Sequence, residues 1–143
     1  MKTILCLLAA ALLCGCVSTT PITKEQLEQN CGPEPVNYQA VIKDYFHVIL
    51  KDPDSALYKC MGAPRRDCLR ESLLSGGKLR FGWLVDFEMN AKNSYGGYNG
   101  YEFYQFLIRN EQVIGVKDKV GIWELIDPTP DHESPTVKSP KGG

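Results

Sequence analysis

Leu79, Phe81, Trp83, Val85, Phe87 and Met89 occupy every second position of one continuous segment, with Arg80, Gly82, Asp86, Glu88 and Asn90 between them and only Leu84 out of step. A period of two is the repeat of a pleated strand, so this segment lies extended with one face against a core. A helix cannot use the pattern, because its buried stripe recurs every three or four residues. Whatever else the chain does, it must supply something apolar to cover that face.

The segment Asn37 to Leu50 supplies it. Tyr38, Val41, Ile42, Tyr45, Phe46 and Ile49 fall at the spacing of a single helical stripe, while Gln39, Ala40, Lys43, Asp44, His47 and Lys51 gather on the opposite arc. Asn37 is a suitable N-cap, and Asp52-Pro53 stops the helix because the residue before proline is pushed out of the α region. His47 sits in the middle of the polar arc and reads as a solvated surface histidine.

Tyr101 to Arg109 forms a second aromatic strand, and Asn110-Glu111 a two-residue turn into Gln112 to Val116. Val120 to Ile126 offers a last strand with Trp123 as a lid on the core. Upstream, Ser55 to Met61 reads as a short strand. Arg65 to Leu74 reads as a second, shorter helix, with Pro64 near its start and Gly76-Gly77 past its end. The expected architecture is α+β: one main amphipathic helix packed on a small antiparallel sheet of three to five strands.

The flanks have a different character. Lys2 precedes an apolar run from Thr3 to Leu13, too short to span a bilayer as a mature helix, and small residues follow. Leu13-Cys14-Gly15-Cys16 resembles the lipobox of bacterial lipoproteins, which implies that residues 1–15 are a signal peptide and that Cys16 becomes an acylated N-terminus anchored in a lipid bilayer. Val17 and Ser18, with no aspartate after the cysteine, fit an outer-membrane destination facing the periplasm. Residues 16–36 read as a tether containing one or two helical turns from Thr23 to Asn30, with Thr23 as cap and Gln26 three places on. The globular domain is expected over 37–127. Pro128, Pro130, Pro135 and Pro140 crowd among Ser, Thr, Lys and Gly, so 128–143 reads as a disordered tail.

Losing the signal removes one of the 16 Lys and Arg, leaving 15 against 17 Asp and Glu. So balanced a chain argues against nucleic acid as a partner. Locally, Lys59, Arg65, Arg66, Arg70, Lys78 and Arg80 outnumber Asp67 and Glu71, which fits either a solvated face or attraction to anionic head groups near the tether. Beyond the signal and Cys16, three cysteines remain: Cys31, Cys60 and Cys68. Cys60 with Cys68 is the leading disulfide, closing a short loop for about 2.5 kcal/mol, and Cys31 with either is the alternative. No Cys-x-x-Cys occurs and the histidines are His47 and His132, so neither a metal site nor a cofactor is indicated.

Between the two best strands lies Asn90 to Tyr101, N-A-K-N-S-Y-G-G-Y-N-G-Y. Gly96-Gly97 could be a tight hairpin turn, or the whole of Asn90 to Gly100 an irregular loop of the kind that carries function. Glycine and asparagine suit either backbone; Lys92, Asn93, Tyr95 and Tyr98 make a candidate platform for a peptide or a sugar, with Lys92, Tyr95 and Tyr98 left unexplained by turn geometry. The motifs Leu50-Lys51-Asp52-Pro53-Asp54-Ser55-Ala56 and Asn90-Ala91-Lys92-Asn93-Ser94-Tyr95-Gly96-Gly97-Tyr98, with Gly32-Pro33, Tyr38, Phe106 and Arg109, resemble a family of small uncharacterised bacterial exported proteins and lipoproteins over roughly Gly32 to Val116. That resemblance implies export and lends no activity or catalytic residue.

Three functions follow as expectations. The first is a non-catalytic lipid-anchored envelope protein that binds an envelope protein or glycan through Asn90 to Tyr101. The second is an accessory lipoprotein of a secretion, conjugation or phage-exclusion system. The third, a cell-wall-acting enzyme, would need Ser94 with Lys92 as a Ser/Lys pair, or Asp86 with Glu88 or Glu102 as paired carboxylates. No Gly-x-Ser-x-Gly or Ser-x-x-Lys accompanies them, and the expectation is that the protein is not an enzyme.

Overall fold

A computed structural model describes residues 21–72 and 76–127. The expected signal peptide, Cys16 and the 128–143 tail lie outside them. In chain order the elements are α1 (Lys24–Asn30), α2 (Tyr38–Ile49), a single 3₁₀ turn (Pro53–Ser55), β1 (Leu57–Cys60), β2 (Arg65–Arg70), β3 (Leu79–Asn90), β4 (Glu102–Arg109), β5 (Gln112–Lys117) and β6 (Trp123–Leu125). All strand pairs are antiparallel. The α+β class therefore holds, but among the described residues the sheet has six strands and two helices accompany it, so the sheet rather than one helix dominates.

The strand order is β1-β3-β4-β5-β6, and β2 shares with β1 the same side of β3. β1 pairs with the C-terminal part of β3, from Cys60 opposite Phe87 to Leu57 opposite Asn90. β2 pairs with its N-terminal part, from Arg65 opposite Leu84 to Arg70 opposite Leu79. This corrects the expected helix over Arg65 to Leu74 at residues 65–70, while residues 73 and 74 lie outside the described residues. The twelve-residue β3 would leave half of one side unpaired without a partner there. Satisfying that ladder outweighs a weak local preference. In the extended form Leu69 also reaches an apolar cluster on the sheet.

The alternation in β3 now has a cause on both sides. Val85, Phe87 and Met89 face α2 and join Ile42, Phe46, Phe106, Ile108 and Val116 in the main core. Phe46 is fully buried and meets the rings of Tyr45, Tyr58, Phe87, Tyr104 and Phe106 at centroid distances of 5.0–6.4 Å. Such ring pairs each add about 0.5–1.5 kcal/mol beyond the area they bury. Leu84, out of step in the sequence, belongs to the other face, where it packs with Leu107 and Ile114 beneath Leu69 and Trp123. Trp123 is thus a lid, but on this second cluster rather than on the main core.

The connection between β4 and β5 is the expected two-residue turn, with Asn110 and Glu111 in the left-handed region at φ 50° and 57°. Glu111 has a further task. Its carboxylate accepts the backbone N–H of Val36 at 2.7 Å and of Asn37 at 3.2 Å, just ahead of α2. Asn37 precedes the helix as expected but makes no side-chain cap bond. The start of α2 is held from across the fold instead.

Part of the expected tether touches the fold, although most of its described residues are exposed. Thr23 and Gln26 form a reciprocal capping box at the start of α1. Cys31 is fully buried, Pro35 is buried, and the Trp83 indole donates to the Gly32 carbonyl at 3.2 Å. The segment ahead of Asn37 thus lies against β2 and β3 through Cys31 and Gly32.

Candidate functional site

Beyond Asn90 the chain leaves the sheet, touches itself again at an isolated bridge between Lys92 and Tyr98, and rejoins the sheet at Glu102. Both readings of the stretch therefore hold at different scales: a tight turn sits at the tip of an irregular loop. Asn93 builds the turn. Its N–H donates to the Gly97 carbonyl at 2.8 Å and its carbonyl accepts the Gly96 N–H at 3.0 Å. Its side-chain oxygen accepts the N–H groups of Tyr95 and Gly97, each at 3.0 Å, and its amide donates to the Asn99 side chain at 3.0 Å. Gly96 takes φ 81°, a conformation that costs any side-chain-bearing residue about 1 kcal/mol or more.

The two sequence motifs meet here. The first folds on itself, with the Ser55 hydroxyl and N–H both donating to the Asp52 carbonyl. The Tyr98 hydroxyl then donates to the Ser55 carbonyl at 2.8 Å, and the Lys51 ammonium donates to the Ser94 hydroxyl at 3.4 Å. Residues more than forty places apart thus form one surface. Sequence spacing gave no sign of this juxtaposition; the common occurrence of the two motifs in one resemblance was the available hint.

The candidate residues sort by environment. Tyr95 is 98% exposed at the tip and packs on nothing that fixes it. Tyr98 is partly covered, anchored by its hydroxyl, and has the Lys92 ammonium 5.8 Å from its ring centroid. Asn93 is a structural organiser. Tyr101 is the face over which Lys59 lies, 3.6 Å from the ring centroid, in a cation–π contact. Asn90, at the loop's root, is buried, and its side-chain oxygen has no hydrogen-bond partner among the described residues.

The pairs named as enzyme candidates are not arranged as their chemistry would require. Ser94 touches Lys51, not Lys92, and Lys51 is exposed, whereas a lysine serving as base to a serine is usually desolvated. Asp86 and Glu88 lie on one sheet face, while Glu102, opposite Met89, lies on the other. Each is also engaged: Asp86 with Arg65 and Gln105, Glu88 with Lys59, Glu102 with Tyr104 and Lys119. The Arg65 guanidinium and the Gln105 amide hold the Asp86 carboxyl below its usual range, opposite to what a general acid needs. His47 is exposed, as expected.

The basic residues of 59–80 are similarly occupied. Arg65 pairs with Asp86 at 2.5 Å, Arg66 lies over Trp83, and Arg80 binds Glu71, Asp127 and the Ile126 carbonyl. Lys59 is held between Glu88 and Tyr101. Four of the six therefore serve the sheet, which weakens the head-group reading. An open cavity beside Arg80, lined also by Lys78, Arg109 and Ile114, is largely spoken for by those ion pairs.

The three cysteines do not fall as the leading pairing requires. Cys60 sits opposite Phe87 and Cys68 opposite Phe81 along the same side of β3. Six residues of strand separate them by roughly 20 Å, far beyond the reach of a disulfide. All three thiols are free. Among the described residues no group of three or more His, Cys, Asp or Glu could hold a metal ion, and no helix is long and apolar enough to cross a membrane. Comparison with protein-family models, with curated proteins and with solved structures returned no match.

Proposed function

We propose that this chain is a lipid-anchored protein of the bacterial envelope, tethered through acylated Cys16, whose domain is a non-catalytic module that binds an envelope protein or glycan through the surface formed by Lys51 and residues 92–98. One observation carries the binding part: Tyr95 is 98% exposed on a turn that Asn93 fixes with its own hydrogen bonds. A tyrosine contributes nothing to the fold when it is so exposed. Placed on a preorganised turn it offers large amphipathic contact area at little conformational cost on binding. Lys92 and Tyr98, paired across the same loop, and Lys51, bonded to the neighbouring Ser94, add donors and a second ring to the surface. The anchoring part rests on the lipobox resemblance alone.

Site-specific photocross-linking in cells tests the binding surface. A photoreactive amino acid at position 95 should give a discrete adduct that the same group at Val48, exposed on α2, does not. Equal or absent adducts at the two positions would sink the proposal. Labelling with radioactive palmitate, lost in Cys16→Ser, tests the anchor separately.

A further inference from the structure

The turn after α1 brings Cys31 onto the sheet where β2 meets β3. Asp67 and Gly82 are paired there, and both direct their side-chain positions to the face shared with Leu69 and Leu84. The opposite face at that pair is therefore bare backbone, and Gly82 is itself buried. The Cys31 sulfur fills this bare slot, 3.6 Å from the Asp67 carbonyl oxygen, to which its thiol donates. That carbonyl belongs to the peptide leading into Cys68, which places the sulfur within roughly 6 Å of the Cys68 Cα by backbone dimensions. Cys68 is the next residue of β2, and alternation turns its side chain to the face on which Cys31 sits.

We propose that Cys31 and Cys68 form a disulfide that fastens the connection between α1 and α2 to β2, leaving Cys60 as the free thiol. The oxidant is a disulfide of the exchange type, such as a thiol–disulfide oxidoreductase or oxidised glutathione. The Cys68 thiolate, less buried than Cys31, attacks one sulfur of that disulfide, breaks its S–S bond and releases one thiolate. The Cys31 thiolate then attacks the Cys68 sulfur of the mixed disulfide and releases the second. The two cysteine protons end on the two released thiols, and the oxidant takes up the two electrons. Burial pushes both thiols above their ordinary range, and nearby Asp67 and Cys31 raise Cys68 further. Exchange should therefore be slow at neutral pH and quicken as pH rises. Cys60 stands apart, its thiol directed at the Gly62 carbonyl and the Tyr38 hydroxyl.

The test equilibrates the full chain, folded, in mixtures of oxidised and reduced glutathione, blocks remaining thiols with an alkylating agent and maps the tryptic peptides. The wild type and Cys60→Ser should both lose alkylation at Cys31 and Cys68 and yield the peptide Glu25–Lys43 joined to Asp67–Arg70. Cys31→Ser and Cys68→Ser should abolish the joined peptide, and in urea the wild type should give mixed pairings. Should Cys31→Ser fail to fold, the wild type still decides, with Cys60→Ser as the second reading. Full alkylation of Cys31 and Cys68 in both proteins under the most oxidising mixture overturns the proposal. So does a bridge made mainly through Cys60.

Discussion

Gly82 and Gly115 both lie buried in strands, and the same substitution at each should have different results. A Cβ at Gly82 would lie 2.7 Å from the Ile108 backbone oxygen, 3.1 Å from Leu107 Cγ and 3.3 Å from the Ile108 carbonyl carbon. Two of those three atoms are backbone of β4, which is hydrogen-bonded on both sides, to β3 and to β5. Opening the contact to an ordinary separation therefore moves strands, not a side chain. Overpacking of this kind costs about 1–3 kcal/mol. Against it stands the smaller unfolded-state entropy of alanine, worth about 0.4–1 kcal/mol in favour of the variant. Because the clash is with backbone the upper half of the cost applies, so Gly82→Ala should destabilise by about 1–2.5 kcal/mol. At Gly115 the nearest atom is the end of the Leu69 side chain at 3.2 Å, and the others lie at 3.6 and 3.7 Å. Leu69 can turn aside, so Gly115→Ala should stay within about 0.5 kcal/mol of the wild type. Thermal melts followed by circular dichroism read the difference, since about 1 kcal/mol shifts the midpoint of a domain this size by about 4–8 °C. The reasoning is refuted if Gly82→Ala melts at or above the wild type, or if Gly115→Ala is the more damaging change.

Three further outcomes follow from particular contacts. The folded Asp86 has a depressed pKa, so its pairing with Arg65 and Gln105 contributes stability that is present above the unfolded carboxylate pKa of about 4 and is lost as pH falls through the folded value; urea midpoints measured against pH should fall less steeply on the acid side in Asp86→Asn. Glu111→Ala removes the carboxylate that receives the Val36 and Asn37 N–H groups and should cost about 1–2 kcal/mol in urea melts, with fluorescence from Trp83 reporting the loosened 31–37 segment beside it. Asn93→Ala deletes the side-chain bonds that hold the tip, so amide exchange at Tyr95 and Gly97 should accelerate while the global melting temperature moves little, and unchanged exchange at both would show that the turn does not depend on Asn93.

What the sequence made legible was whatever depends on short-range periodicity. β3, α2, the Asn110-Glu111 turn and the Thr23–Gln26 capping box are each written in consecutive residues whose geometry admits one reading. What it concealed depends on partners far along the chain. Arg65 to Arg70 has no alternation strong enough to declare a strand, and becomes one because the four residues of β1 cover only a third of the twelve-residue β3. Leu84 looked like an interruption because the second apolar cluster is assembled from four other strands and invisible until they pair. The leading cysteine pair failed for a related reason: nearness along the chain favours Cys60 with Cys68, but the intervening residues run straight along β3. The site shows the same division. Lys92, Tyr95 and Tyr98 stood out as residues a plain turn does not need, whereas Asn93, a candidate beside them, is the residue that builds the turn. The contribution of Lys51 and Ser55 is a matter of tertiary contact.

The pairing of both β1 and β2 with one side of β3 has an effect outside the fold itself. Had a single strand covered that side, it would have offered neighbours a long, regular row of open N–H and C=O groups. The side is closed instead by a strand of four residues and one of six, separated by Met61 to Pro64, with Gly62 at φ 135° and a proline that has no N–H to give. The far edge is only the three residues of β6. One border is interrupted and the other very short, which limits edge-to-edge aggregation. Under the proposed lipid anchoring, neighbours would meet at high local concentration, and that resistance would matter more than it does in free solution.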